Sequence, residues 1–257
     1  MQAASYLFNL DFTKEDIAKL SAKSERFIGV ESGGMDQAIS MMAEEGFAKL
    51  VHFNPIRTES IEIPPGYSFV VANSLVTSNK KETSETNYNL RVIECRLASA
   101  ILGKELNING WEKPKIMKTL QEESGKSIKE MIECCKKYLL KDFYTIPDIC
   151  QVLSLSQDDL FQNYFQSSTG GLIKVKVDKF KLFQRSFHVF SEAQRVLDFV
   201  DASKNKKPKE MGELMNQSHF SLRDYFEASC DELEILTNIC RNQNGCLGSR
   251  LTGAGWV

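Results

Sequence analysis

Gly33-Gly34-Met35-Asp36-Gln37, near one end of the chain, joins a glycine turn to the predicted start of a helix over residues 36–45. Two glycines permit backbone angles that other residues avoid, and they let a ligand approach the main chain closely. Asp36 then lies at a helix start, where free N–H groups and the helix dipole favour a carboxylate by about 0.3–1 kcal/mol. The residues alone leave two interpretations open: an ordinary helix-capping aspartate, or a carboxylate that accepts a proton or helps to hold a cation.

A second glycine turn, Leu251-Thr252-Gly253-Ala254-Gly255-Trp256, lies near the other end of the chain. Between the two turns, hydrophobic spacing predicts an α+β fold that becomes mostly helical in its second half. The expected strands cover residues 47–53, 60–63 and 67–73, and the expected later helices cover 88–102, 127–138, 146–153, 157–165, 175–200, 210–220 and 231–241. Pro64-Pro65-Gly66 is a strong break, so we predict two domains, residues 1–65 and residues 66–257.

The composition is that of an ordinary globular protein, with 257 residues, 42% hydrophobic and 26% charged. A net charge of −2 gives no global field that would attract nucleic acid. The first residues lack the basic start and apolar run of a signal peptide. Seven cysteines without a C-x-x-C pair are typical of a reducing compartment. We therefore expect a cytoplasmic protein with no nucleic-acid or membrane partner and no protein-bound metal.

Four sequence motifs, taken in order and with their separations, resemble the galactokinase family of the GHMP kinase superfamily. They are G-G-M-D-Q at 33–37, Y-N-L-R-V-I-E-C-R at 88–96, L-M-N-Q-S-H at 214–219 and S-R-L-T-G-A-G-W at 249–256. Within that family the motifs are most similar to those of N-acetylgalactosamine kinases. The resemblance runs from about residue 13 to residue 256, and the segment 167–177 does not align with it.

The resemblance implies a partial GHMP kinase fold. Residues 1–65 would be a remnant of the N-terminal α/β domain, and residues 66–257 a helix-rich, ferredoxin-like C-terminal domain without its last strands. The family's G-R-V-N-L-I-G-E-H segment and its P-x-x-x-G-L-S-S-S-S-A phosphate loop have no counterpart in these residues. We therefore expect a chain truncated at both ends relative to the family.

The family's activity is transfer of the γ-phosphoryl group of ATP, with Mg²⁺, to the anomeric hydroxyl of galactose or N-acetylgalactosamine. By resemblance, Asp36 is the catalytic base and a sugar contact, Gly33 and Tyr88 contact the sugar, and the positions that face the nucleotide are Asn79, Lys80, Gly253 and Gly255. Purely structural alternatives stay open: Tyr88 could pack against a neighbour at a helix start, and Asn79-Lys80 could be a solvated loop. The partners implied are the sugar and ATP, and the intact protein is expected to be a monomer.

Because the phosphate loop is missing, we expect this chain to be an incomplete form with little or no kinase activity. The main alternative is a non-catalytic, galactokinase-like sugar sensor that regulates a partner. Two further alternatives are another member of the superfamily, such as a mevalonate kinase, and a generic helical interaction module. The galactokinase-type motifs argue against both of these.

Overall fold

The computed structural model describes residues 2–27, 33–53, 55–76, 87–167, 170–253 and 255–256. The chain forms two compact units. The first unit comprises Met1–Phe69 with Val200–Pro208, and the second comprises Val70–Phe199 with Lys209–Val257. The boundary after residue 65 stays a prediction, because compact packing does not by itself define an independently folding domain.

The first unit combines short helices with one β-hairpin. Its elements are α1 (Gln2–Leu7), α2 (Lys14–Arg26), α3 (Met35–Met42), β1 (Phe47–His52) and β2 (Arg57–Glu62). The strands are antiparallel, with Phe47 opposite Glu62 and His52 opposite Arg57. The two strands predicted for this region are present, although the second begins three residues earlier than expected.

A small apolar cluster joins the helices of the first unit to the hairpin. Ala22 on α2 and Ala38 on α3 are buried with Ile56, and Met42 and Val51 pack against them. Two of the three central residues are alanines, so the backbones of α2 and α3 come close together at this point. This close approach limits the space at Gly34, directly before α3.

The second unit is helical. Its elements are α4 (Tyr88–Glu105), α5 (Met117–Ser124), α6 (Ile128–Tyr138), α7 (Ile146–Leu153), α8 (Gln157–Tyr164), most of α9 (Leu182–Lys204), α10 (Pro208–Ser221), a π-helix (Leu222–Phe226) and α11 (Asp231–Arg241). The core surrounds α4, whose Ile93, Leu97 and Ile101 are almost completely buried. Arg91, Glu94 and Ser99 of the same helix are buried as well, so polar side chains share its enclosed surface. The mixed, helix-rich α+β fold class is confirmed.

Two predicted elements differ from the structure. Residues 67–73 were expected to form a buried strand, but Val70 and Val71 are each 89% exposed and no described strand pairs with them. A short apolar run indicates a preference for burial and cannot show what would cover it. The helix predicted over 175–200 begins only at Leu182, because Phe180 instead exchanges two 2.8 Å backbone hydrogen bonds with Tyr144. Among the described residues, none of the helices has the length and hydropathy needed to cross a membrane.

Candidate functional site

The turn before α3 accepts only glycine at position 34. Gly34 has φ +89°, in the left-handed region that disfavours L side chains. A Cβ built on Gly34 would lie 2.7 Å from Ala22 Cβ and 2.8 Å from Ile56 Cδ1, both closer than real Cβ contacts. Backbone angle and space therefore exclude a side chain independently. The sequence suggested glycine freedom here, and the structure adds the close helix approach that requires it.

Asp36 lies in the exposed part of the first turn of α3. Ala38, two residues later, is fully buried and donates its N–H to Gly34 O at 3.0 Å, which fixes the orientation of that turn. Gly33 is also exposed, and a Cβ there would make only ordinary contact, 3.7 Å from the Phe53 ring. The two predicted sugar-facing residues of the first unit are thus brought together at one helix start.

Gln37 is a polar residue of this turn that the sequence analysis did not select. Its Oε1 atom is buried and accepts no hydrogen bond from any residue in the described ranges. Leaving a buried acceptor without a donor costs about 1–3 kcal/mol. A buried acceptor beside Asp36 suits a donor supplied by water or by a ligand hydroxyl. No sequence pattern distinguishes such a glutamine from one at the surface.

The predicted site residues of the second unit lie on two segments. Tyr88 is half-buried in the first turn of α4. Gly253 and Gly255 lie in the second glycine turn, with φ +73° and +78°. A Cβ on Gly255 would lie 2.0 Å from Ala228 O, whereas one on Gly253 would meet no atom within 4 Å. Gly255 is therefore required by space and backbone angle, and Gly253 by backbone angle only.

Hydrogen bonds anchor the segment that carries these glycines. The Ser249 N–H donates to Asn216 Oδ1 at 2.9 Å, and the Leu251 N–H donates to His219 Nδ1 at 3.3 Å. At the other end, the Trp256 N–H donates to Ala228 O at 2.7 Å. Asn216 and His219 belong to the L-M-N-Q-S-H motif, so side chains of this motif anchor the S-R-L-T-G-A-G-W motif by hydrogen bonds.

His219 is fully buried, and its hydrogen bonds define its protonation. Because Nδ1 accepts from Leu251, the proton belongs on Nε2, which lies 3.1 Å from Glu234 Oε1 and can donate to it. Burial lowers the pKa of His219, although Glu234 acts in the opposite direction. His188 is buried too, and burial lowers its pKa to about 4. Both imidazoles are thus neutral parts of the structure at pH 7.

Two predictions concern bound groups. Asn79 and Lys80, the predicted nucleotide contacts, lie outside the described residues. Within the described ranges, no three His, Cys, Asp or Glu side chains converge closely enough to hold a metal ion.

Comparisons with known proteins agree on one family. The family model for the N-terminal domain of GHMP kinases matches residues 1–44, and the model for their C-terminal domain matches residues 199–256. A galactokinase of Dictyostelium discoideum is 43% identical over 99% of this chain and 54% of its own length. A galactokinase of Candida parapsilosis is 33% identical over 96% of this chain and 53% of its own. The chain spans about half the length of the curated relatives it matches.

The same fold is found in a solved structure. Lactococcus lactis galactokinase complexed with galactose superposes with a TM-score of 0.65 at 23% identity, covering 99% of this chain and 52% of the other. At that identity the likeness concerns the fold alone.

Proposed function

We propose that this chain, which matches two GHMP kinase family models and is similar to galactokinases over about half of their length, serves phosphoryl transfer from ATP to the anomeric hydroxyl of a hexose. The observation that carries the proposal is the exposed Asp36 in the first turn of α3, which follows a glycine that space and backbone angle fix in place. Phosphoryl transfer depends mainly on positioning and charge stabilisation, and a carboxylate can orient or deprotonate the attacking hydroxyl.

In the proposed step, the Asp36 carboxylate takes the proton of the anomeric hydroxyl. The sugar oxygen forms a bond to the γ-phosphorus while the bond from that phosphorus to the β–γ bridging oxygen breaks, and ADP leaves. Mg²⁺ accompanies ATP as its counter-ion. The roles proposed for the other site residues are sugar contacts from Gly33 and Tyr88 and nucleotide-side contacts from Asn79, Lys80, Gly253 and Gly255.

We propose galactose or N-acetylgalactosamine as the sugar. Galactose is supported by the galactokinase relatives and by the galactose named in the Lactococcus structure. N-acetylgalactosamine is supported by the motif similarity noted above, which is strongest toward kinases of that sugar.

We also propose that the 257 residues alone turn over slowly. A helix N-terminus whose glycine-rich loop wraps the phosphates supplies much of the charge stabilisation in such enzymes, and no segment here matches that loop. The same observation favours the second candidate function, a sugar-binding regulatory partner that does not catalyse transfer.

The test is ADP release by the purified chain with ATP, Mg²⁺ and either sugar. Asp36→Asn should abolish any sugar-dependent release, because the amide cannot accept the proton. Asp158→Asn is the matched control, since Asp158 is the second residue of another eight-residue helix, α8, just as Asp36 is in α3. The control should leave the rate unchanged.

Three results are informative. Release that survives Asp36→Asn would overturn the catalytic role. ADP release lost equally in Asp36→Asn and Asp158→Asn would show that the substitutions destabilise the protein and do not remove a catalytic group. No release, together with sugar binding measured by calorimetry and weakened by Asp36→Asn, would favour the regulatory alternative.

A further inference from the structure

The end of the π-helix presents main-chain carbonyls that helical hydrogen bonding leaves without partners. Two arginines supply donors to them. Arg185 Nη1 donates to Tyr225 O, and Arg91 donates through Nε to Phe226 O at 2.6 Å and through Nη2 to Glu227 O at 3.4 Å. Cations at a helix C-terminus are also favoured by the helix dipole. A pair of guanidinium groups from α4 and α9 thus caps one helix end.

Two carboxylates form ion pairs with these arginines. Arg185 and Glu94 are each only 1% exposed. Glu94 Oε2 lies 2.7 Å from Arg185 Nε and 3.2 Å from Arg91 Nη1, and Glu227 Oε2 lies 2.8 Å from Arg185 Nη2. Removing one partner of such a buried pair leaves a charge without compensation. We name Arg91, Glu94, Arg185 and Glu227 the ionic clamp.

The second glycine turn ends on the same carbonyls. The indole Nε1–H of Trp256 donates to Glu227 O at 2.7 Å, the oxygen that Arg91 also approaches. The Arg91 guanidinium carbon lies 5.8 Å from the Trp256 ring centroid, within the range of a cation–π contact. Arg91 is three residues after Tyr88 on α4, so it connects both segments that carry predicted site residues of the second unit.

We propose that the ionic clamp positions residues 255–256 of the second glycine turn with respect to the start of α4, where Tyr88 lies. This inference rests on the proposed function in treating these two segments as substrate-facing. The four residues of the ionic clamp are positioning residues, since they act through the carbonyls of the π-helix end. The planar, forked guanidinium of Arg91 is essential, because it reaches two carbonyls, a carboxylate and an aromatic ring together. A lysine provides only a compact charge.

The test uses Trp256 as its own reporter. The chain has two tryptophans, so Trp111→Phe leaves Trp256 as the only tryptophan, which excitation beyond the tyrosine absorption band observes selectively. In that background, Arg91→Lys should increase acrylamide quenching of Trp256 about two-fold or more, as expected when a segment opens locally. Arg96→Lys is the matched control on the same helix, because Arg96 also caps carbonyls, those of Tyr164 and Gln166. It should leave the quenching unchanged, with far-UV circular dichroism establishing that both variants are folded.

A second measurement covers the case in which Arg91→Lys does not fold. Trp256→Phe removes the indole donor and reduces the ring that faces Arg91, and it should accelerate hydrogen exchange of the amides of residues 91–94. Exchange over residues 128–164 should stay constant, and Trp111→Phe serves as the matched tryptophan control. Equal quenching in Arg91→Lys and Arg96→Lys, or unchanged exchange at 91–94 in Trp256→Phe, would overturn the proposal.

Neither readout requires catalysis, so absence of ADP release would count against the proposed function and leave this inference to be decided by quenching and exchange. If the chain is active, Arg91→Lys should reduce kcat/KM by about 10–100-fold, the scale of a small misplacement of site groups. Arg96→Lys should not cause that loss.

Discussion

At the scale of single residues, two glycines and two histidines are tightly constrained by their surroundings. Gly34 and Gly255 each combine a positive φ with a missing Cβ that would collide with a neighbour. His188 and His219 are buried and neutral, and each uses Nδ1 in a hydrogen bond, to Ser221 and Leu251 respectively. Such residues make stability sensitive to small chemical changes, which two experiments can measure.

Gly34→Ala should be strongly destabilising. The left-handed backbone costs a residue with Cβ about 1–2 kcal/mol, and forcing a methyl between Ala22 and Ile56 should add about 1–3 kcal/mol. Gly46→Ala separates these contributions, because Gly46 has φ +83° and open space around its Cβ position. Urea unfolding should show a clearly larger loss for Gly34→Ala. Equal losses would mean that the steric contribution is absent.

Stability should fall as the pH is lowered from 7 to 5. The pKa of His188 is lowered to about 4 and that of His219 is also lowered, both first by burial. In this range the unfolded chain binds more protons than the folded chain, so stability is present above the unfolded pKa near 6.5 and is lost below it. For His188 the loss at pH 5 is about 2 kcal/mol by linkage.

Urea unfolding at several pH values measures this loss. His188→Asn and His219→Asn keep a side-chain acceptor near the Nδ1 position, and each should flatten the dependence on pH between 7 and 5. His52→Asn is the control, because it leaves both buried histidines in place. An equally steep dependence in all three variants would assign the effect to other groups.

At the scale of elements, the sequence predicted structure well where local signals agree. Helix α6 begins after Ser127, whose side chain and Glu130 form a reciprocal capping box, and α7 begins after Thr145 with the same arrangement to Asp148. The sequence failed where tertiary pairing replaces local preference. Residues 175–181 continue an apolar helical period, but Phe180 pairs with Tyr144 instead. Helix α5 was missed altogether.

The site shows the same division. Asp36 and Gly33 were identified from a local motif, and the structure places both at one helix start. The contacts of Arg91 with Phe226 and Glu227 connect residues about 135 positions apart in the chain. No periodicity or spacing encodes such a contact. The identity of a positioning residue is therefore set by packing, which the sequence alone does not display.

At the scale of the whole molecule, exposed apolar surface is concentrated in particular segments. Tyr67, Phe69, Val70, Val71 and Leu75 are all more than half exposed. Side chains so exposed contribute little to stability but favour association between molecules. The segment should therefore affect solubility more than folding.

The double variant Val70→Thr/Val71→Thr tests this expectation. It preserves shape while replacing two exposed methyl groups by hydroxyls, so the free energy of unfolding should change by no more than about 0.5 kcal/mol. Light scattering at high protein concentration should decrease. Val200→Thr makes the same change at a buried position and should cost about 1–3 kcal/mol. A comparable loss in the double variant would show that residues 70–71 are buried in solution.

The crowded turn at Gly34 has a consequence for how its gene can vary. Every glycine codon begins with two guanines, and any change in either of them installs a side chain or a stop codon. Since each side chain meets Ala22 and Ile56 at the same distances through its Cβ, none of these substitutions avoids the collision. We therefore expect the first two nucleotides of this codon to be fixed while the third varies freely.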